Sequence, residues 1–338
     1  CADLVNEEEQ YDRAVEIIKR AITAGQAHSP GMDLENDIDA RYSETYRNTI
    51  RTNIQSVNGS DSLDSRKILN GGAGAGELSV VIAPTGVGKS HMLVHIGAQG
   101  LLQNKNVLHF TFELNERAVG IRYDSHLLDI DSLECPERKQ EVKDFYLENA
   151  GKIGKLRVKY FPTGTATVNT LRSFIDKLAL ENFRPDMVVV DYAGIMRSTE
   201  RYELPRMELK KIYEELRCFA AELDVPVWTA CQSNREGADS EIISLANMSE
   251  AYAQAHICDF VIGLGRPESQ KATGLGTIFI AKNRAGIDGV SYKVKINTAR
   301  SRITILTDEE AQHVTAEQER EREEGMNLVR RTLRQINT

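Results

Sequence analysis

The 338-residue sequence has no long apolar run, so it predicts no membrane span. Its first residues are acidic, which speaks against a signal peptide. Basic charge is not in excess: 42 Lys and Arg against 50 Asp and Glu give a net charge of −8. That excludes a surface coated in positive charge. It leaves room for nucleic acid in a local basic groove or pore, because binding follows the local field. Cysteines are few, at Cys1, Cys135, Cys218, Cys231 and Cys258, and none forms a Cys-x-x-Cys pair. A zinc ribbon is therefore disfavoured. Three of the five lie in apolar or helical runs and read as reduced core residues of a cytoplasmic protein. No internal repeat is visible. The hydrophobic fraction of 41% is ordinary for a globular chain. The length suits one large domain with appendages.

Residues 1–65 are polar and lack strand–helix alternation. Tyr11, Val15, Ile18 and Ile22 recur at helical spacing, but the stripe is too narrow for an independent core. We read this region as a linker with short helices, one of which packs on its own domain or docks on a neighbour. From Glu77 onward apolar strands alternate with amphipathic helices. Strands are predicted at 78–82, 106–112, 156–161, 187–191 and 225–231, with helices at 90–103, 115–129, 136–150, 168–182 and 205–223. Such alternation predicts an α/β fold with a mainly parallel twisted sheet flanked by helices. After residue 256 short strands at 258–264, 275–282, 290–296 and 302–306 predict antiparallel hairpins at one sheet edge. Residues 307–338 are dense in Glu and Arg and form a charged tail, either a solvated helix or partly disordered.

The most informative stretch is Ala83-Pro84-Thr85-Gly86-Val87-Gly88-Lys89-Ser90, set between an apolar strand and a helix. Strand, Gly-Lys-Ser turn and helix form the context of a P-loop. A nucleoside triphosphate needs several N–H groups aimed at its oxygens, and Gly86 and Gly88 let the backbone wrap closely. The helix that follows turns its positive end to the phosphates. Lys89 can reach the β and γ phosphates, and the Ser90 hydroxyl can bind Mg²⁺. His91, next in line, counts with these eight as nucleotide-binding. The usual pattern opens on Gly, where this chain has Ala83.

Other strand ends carry further chemistry. Met187-Val-Val-Val-Asp191 is an apolar strand ending in a carboxylate that can hold Mg²⁺, directly or through water. Val107-Leu-His-Phe-Thr-Phe-Glu113 also ends in a carboxylate. Glu113 can polarise the attacking water, but taken alone it reads better as a cap for the helix starting near Asn115. Gln232 closes an apolar strand and can sense a γ-phosphate, or simply anchor a loop. Lys282 and Arg284 end a late strand with one residue between them, so period two puts them on one face. Arg284 is suited to bridging phosphate oxygens, in a neighbouring subunit as an arginine finger, unless the pair is a solvated hairpin tip. His91 and His95 stand i, i+4, a spacing that can bind metal. No third ligand is evident, and core or surface histidines explain them better.

Taken together, these residues resemble the RecA-like motor domain of DnaB-type replicative helicases, including the phage branch. The likeness covers about residues 60–306 and rests on five ordered motifs. These are Gly71 to Ser90, Phe110-Thr-Phe-Glu113-Leu114, Val190-Asp191-Tyr192, Gln232-Ser233-Asn234-Arg235 and Ala281-Lys282-Asn283-Arg284-Ala285-Gly286. The resemblance implies a motor domain over 66–306, using ATP or another NTP with Mg²⁺. It implies a homo-oligomeric ring, commonly hexameric, acting on single-stranded and forked duplex DNA in the cytoplasm of a bacterial host. It also implies primase and helicase-loader partners. Catalytic roles fall to Lys89, Glu113, Gln232, Lys282 and Arg284, metal binding to Ser90 and Asp191, and DNA contact to Arg235. A globular N-terminal domain of the family is not evident in residues 1–65. The segment from about Arg235 to Ser249, where DNA contacts are expected, matches poorly. A recombinase filament of the RecA or RadA type and a KaiC-like regulatory ring share parts of this pattern. Unwinding of a fork separates the first from a helicase, and DNA-stimulated hydrolysis separates the second.

Overall fold

Leu78–Ala83 (β1) is buried along its whole length, and the sheet is built outward from it on both sides. The computed structural model describes residues 73–314, apart from 235, 236, 238, 249–251, 272 and 308. The N-terminal helical stripe and most of the charged tail lie outside the described residues.

The further strands are β2 (Val107–Thr111), β3 (Leu156–Tyr160), β4 (Met187–Asp191), β5 (Val227–Gln232), β6 (Phe260–Gly265), β7 (Leu275–Asn283), β8 (Ser291–Asn297) and β9 (Arg302–Ile305). They form one sheet in the order β3-β2-β4-β5-β1-β6-β7-β8-β9. The first six in that order run parallel, and β7, β8 and β9 reverse in turn. The reversal therefore begins one strand later than the change in sequence pattern. Phe260–Gly265 is apolar and buried throughout, and such a run carries no signal of direction.

The helices are α1 (Lys89–Leu102), α2 (Glu116–Leu128), α3 (Lys139–Glu148), α4 (Val168–Leu180), α5 (Pro205–Leu223) and the short α6 (Tyr252–Ile257) and α7 (Glu268–Lys271). Local chemistry sets several of their ends. The Asn115 side chain accepts the Ala118 N–H to start α2, and Asp129 ends it in the left-handed region at φ 58°. Thr167 and Thr170 satisfy each other's amides in a capping box at the start of α4. Pro205 opens α5 in its first turn, where no N–H is required.

Alternate residues of each central strand serve opposite faces. Leu78, Val80 and Ile82 of β1 join Val188 and Val190 of β4 in one core, covered by Leu171 and Ile175 of α4 and Leu216 and Phe219 of α5. Val81 and Ala83 join Val189 in the other core, covered by Met92, Leu93 and Ile96 of α1 and Tyr123 of α2. Each such large side chain contributes about 1.5–3 kcal/mol when fully buried. Helix α1 is buried on nearly every side. It can lie this close to α2 because Gly97 has no side chain: a Cβ there would collide with the Tyr123 hydroxyl. No helix among the described residues is long and apolar enough to cross a membrane.

Candidate nucleotide site

The parallel run means that β1, β2, β4 and β5 all point their carboxyl ends the same way, and the chemistry collects there. From β1 the chain enters the P-loop, where Gly86 (φ 76°) and Gly88 (φ 120°) take up conformations that side chains resist. Gly88 is the N-cap of α1 and offers no side-chain cap, and the first turn holds no acidic residue. The first N–H groups of α1 are thus left to an anion. In register terms, Ala83 of β1 lies beside Gln232 of β5. Thr111 of β2 lies beside Asp191 of β4, and the Phe112 N–H donates to the Asp191 carbonyl at 3.0 Å. Thr111 Oγ1 accepts the Leu114 N–H and donates to the Leu114 carbonyl, folding the turn that carries exposed Glu113.

Asp191 is 1% exposed. Its Oδ1 has no hydrogen-bond partner. Burial pushes its pKa up to about 6, against a hydrogen bond from Ser90 that lowers it; Glu113 adds to the rise, and Arg122 and Lys89 oppose it. An orphaned carboxylate oxygen beside a serine hydroxyl is a hard donor set of the kind Mg²⁺ accepts, with phosphate oxygens and water completing the shell. The Lys89 ammonium lies 5.8 Å from the centre of the Tyr192 ring. Burial pulls its pKa down, while Asp191, Glu113 and Cys231 hold it up. Lys89, Ser90, Glu113, Asp191 and Gln232 are thus brought together.

Lys282 and Arg284 are not brought to this site. β7 runs against β6 and ends with Asn283 beside Phe260, at the amino end of the parallel strands. The six residues of β1 separate that end from the P-loop by about 17–20 Å. There Lys282 Nζ donates to the carbonyls of Ala255 and His256 at 2.8 and 3.1 Å, closing the end of α6. Arg284 Nη1 pairs with Asp259 Oδ1 at 3.1 Å. The strand ends before Arg284, so the two cations find different partners despite their spacing.

His91 and His95 do not form a metal pair. His91 Nδ1 bonds Ser301 Oγ at 2.9 Å, and His95 Nδ1 accepts the Ile303 N–H at 3.3 Å. His91 thus ties α1 to the turn between β8 and β9, and His95 ties it to β9. No group of three or more His, Cys, Asp or Glu side chains that could hold a metal ion is found among the described residues. Four cysteines are described and none of these is in a disulfide; Cys135, Cys231 and Cys258 are buried and Cys218 is exposed. Arg235 lies outside the described residues.

Three contributors escape a reading by motif. Arg122 of α2 feels both Asp191 and Glu113, is pulled down in pKa mainly by burial, and keeps Nη1 buried without a partner. Nothing in its helix marks it apart from a solvated arginine. Thr229 of β5 donates to the Val190 carbonyl at 2.8 Å and accepts the Ala193 N–H at 3.0 Å, holding the chain as it leaves β4. Asp259 binds Arg284 and becomes visible only in the folded chain.

Known proteins resemble this chain. The family model described as the DnaB-like helicase C-terminal domain matches residues 58–304. The chain is 30% identical over 285 residues to the DnaB-like replicative helicase of Enterobacteria phage T4, covering 80% of this chain. It spans 58% of that relative's length. Among solved structures, an isolated ATPase domain superposes with a TM-score of 0.65 at 15% identity, over 82% of this chain and 100% of that one. A DnaB-like replicative helicase studied with primase superposes with a TM-score of 0.64 at 15% identity, over 89% of this chain and 77% of that one. The fold is thus the RecA-like one, and with most of its length matched by the family model, the chain belongs to the DnaB-like helicase C-terminal domain family.

Proposed function

We propose that this chain is the ATP-driven motor of a ring-forming replicative DNA helicase, with each nucleotide held at a seam between two subunits. The observation that carries this reading is the separation of its cations. Lys89 stands at the carboxyl rim of the sheet, while Lys282 and Arg284 stand at the amino rim. A chain built this way cannot bring Arg284 to its own P-loop. Head-to-tail stacking would deliver it to the next one, and such heterologous contacts close into rings or run on as helices.

Within the seam each residue has a task. The P-loop amides and the open N-terminus of α1 bind the phosphates, and Lys89 neutralises the β and γ oxygens. His91 contributes its backbone, since its ring is engaged by Ser301. Ser90 and Asp191 would hold Mg²⁺, which supplies charge neutralisation at the β and γ oxygens. Glu113 orients water at the γ-phosphate. Gln232, beside Ala83, donates to that phosphate and changes partner when it leaves. The neighbour's Arg284 stabilises the departing charge, an effect of roughly 10³–10⁵ in other NTPases. Single-stranded DNA is held through its phosphates, forked duplex DNA is the substrate unwound, and primase and a loader are the protein partners.

The test is ATP turnover with and without single-stranded DNA, together with unwinding of a forked duplex. Lys89→Ala should abolish both activities. Arg284→Ala should abolish turnover while nucleotide still binds. Full-speed turnover by Arg284→Ala, or by the parent chain diluted below any association, would remove the seam. Pairing of homologous strands without unwinding would turn the reading toward a recombinase.

A further inference from the structure

Asp259 stands just before β6 with a side chain only 3% exposed. Both of its oxygens are engaged. Oδ2 receives Arg217 Nε at 2.6 Å and the Leu78 N–H at 3.0 Å. Oδ1 receives Arg217 Nη2 at 3.2 Å and Arg284 Nη1 at 3.1 Å. The backbones are joined as well: the Asp259 N–H donates to the Leu78 carbonyl at 2.9 Å, and the Asp259 carbonyl accepts the Arg284 N–H at 3.0 Å. Arg217 also reaches the Gly76 carbonyl at 2.7 Å, so it is fixed at both ends.

This cluster holds more than its own stability requires. A buried carboxylate needs one well-placed cation and its remaining lone pairs filled, and Arg217 with the Leu78 amide already does that. Arg284 is the surplus partner. Its side chain is 69% exposed, although one nitrogen is pinned to a buried group. A long side chain that must act on something outside its own fold loses rotamer freedom when it acts, and holding it beforehand removes that cost. Leu78 is the first residue of β1, whose other end leads into the P-loop. The carboxylate that holds Arg284 is therefore hydrogen-bonded to the strand that carries the same subunit's nucleotide site.

We propose that Asp259 is the positioning residue of Arg284: it fixes the guanidinium at the amino rim of the sheet so that it meets the neighbouring subunit's nucleotide already oriented. The proposal rests on the seam described above. It assigns to Asp259 a defect expressed in the next subunit, whereas a purely structural role would be expressed in its own P-loop through Leu78.

Subunit mixing separates the two. Asp259→Asn and Asp259→Glu are prepared as full chains, and DNA-stimulated turnover is measured alone and after mixing with Lys89→Ala. Each Asp259 variant alone should lose roughly 10- to 100-fold in turnover, the scale of a misplaced catalytic group. Binding of a fluorescent ATP analogue should be unchanged. Mixed with Lys89→Ala, which supplies an intact Arg284, turnover should rise above the sum of the two preparations. Arg284→Ala mixed with Lys89→Ala is the reference. If Arg284→Ala is fully active alone, the seam itself is wrong. If the reference pair recovers and neither Asp259 variant does, the seam stands and the Asp259 proposal falls. Should both Asp259 variants fail to fold, the proposal is likewise overturned, because the carboxylate would then serve the fold first.

Discussion

The Lys89 ammonium lies 5.8 Å from the centre of the Tyr192 ring, within the range of a cation–π contact. The lysine already carries the cost of burial, which lowers its pKa. A ring face contributes about 0.5–1 kcal/mol to a cation, or roughly 2- to 5-fold in affinity. Tyr192→Leu should weaken ATP binding by that factor, and Tyr192→Phe should not. Titration with a fluorescent nucleotide checks this, and identical affinity in both variants would deny the ring any role.

Asp191 should trade stability for metal binding. Its folded pKa of about 6 lies above the ordinary value of 3.8, so the folded state binds the proton more tightly than the unfolded chain. The associated stability is present below about pH 4 and is lost as pH rises through 6. At pH 7.5 without Mg²⁺, Asp191→Asn should therefore be more stable than the parent, by about 1–3 kcal/mol. With nucleotide present throughout, added Mg²⁺ should stabilise the parent further and leave the variant unmoved. Thermal unfolding with and without Mg²⁺ reads both effects.

Four histidines, three of them buried, act in the opposite direction. Burial holds His91 and His126 down at about 4, His109 at about 3 and His95 well below its ordinary value. Below about pH 6.5 the unfolded chain takes up protons that the folded chain refuses. Stability is full above about 6.5 and is lost as pH falls toward 4. Each group costs up to about 2 kcal/mol by pH 5, more together than Asp191 returns. The urea midpoint should fall steeply between about pH 7 and 5. His126→Gln keeps a donor for the Ser301 carbonyl and should reduce proton uptake on unfolding by close to one. An unchanged pH slope in that variant would contradict the assignment.

Packing of α1 against α2 supplies a fourth expectation. A Cβ at Gly97 meets the Tyr123 hydroxyl, which is bonded to His109 at 3.0 Å. Gly97→Ala should destabilise by about 1–3 kcal/mol. Gly120, in α2, has nothing within 4 Å of its added Cβ. Gly120→Ala should stabilise by up to about 1 kcal/mol. Chemical denaturation of the pair measures the contrast.

The parts of this molecule that sequence makes legible are those where one strand or helix suffices. Met187–Asp191 reads as an apolar strand ending in a carboxylate because five consecutive residues say so. Gly86, Gly88, Lys89 and Ser90 read as a phosphate cradle for the same reason. What cannot be read are contacts made across the sheet. Asp259 reaches Leu78 over a separation of 181 residues, and His91 reaches Ser301 over 210. Spacing puts Lys282 and Arg284 on one face, but the strand ends between them and each side chain follows its own acceptor. Direction is equally hidden in β6, whose apolar residues would suit either sense.

The turn between β8 and β9 sets a limit on how far the chain can be shortened. Ser301 takes up the rings of His91 and His126, and the Ser125 hydroxyl donates to the neighbouring Ala299 carbonyl. A loop from the far edge thus wedges behind the helix that follows the P-loop. Progressive deletion from the C-terminal side would not erode nucleotide binding gradually; it would end at a cliff where residue 301 is crossed.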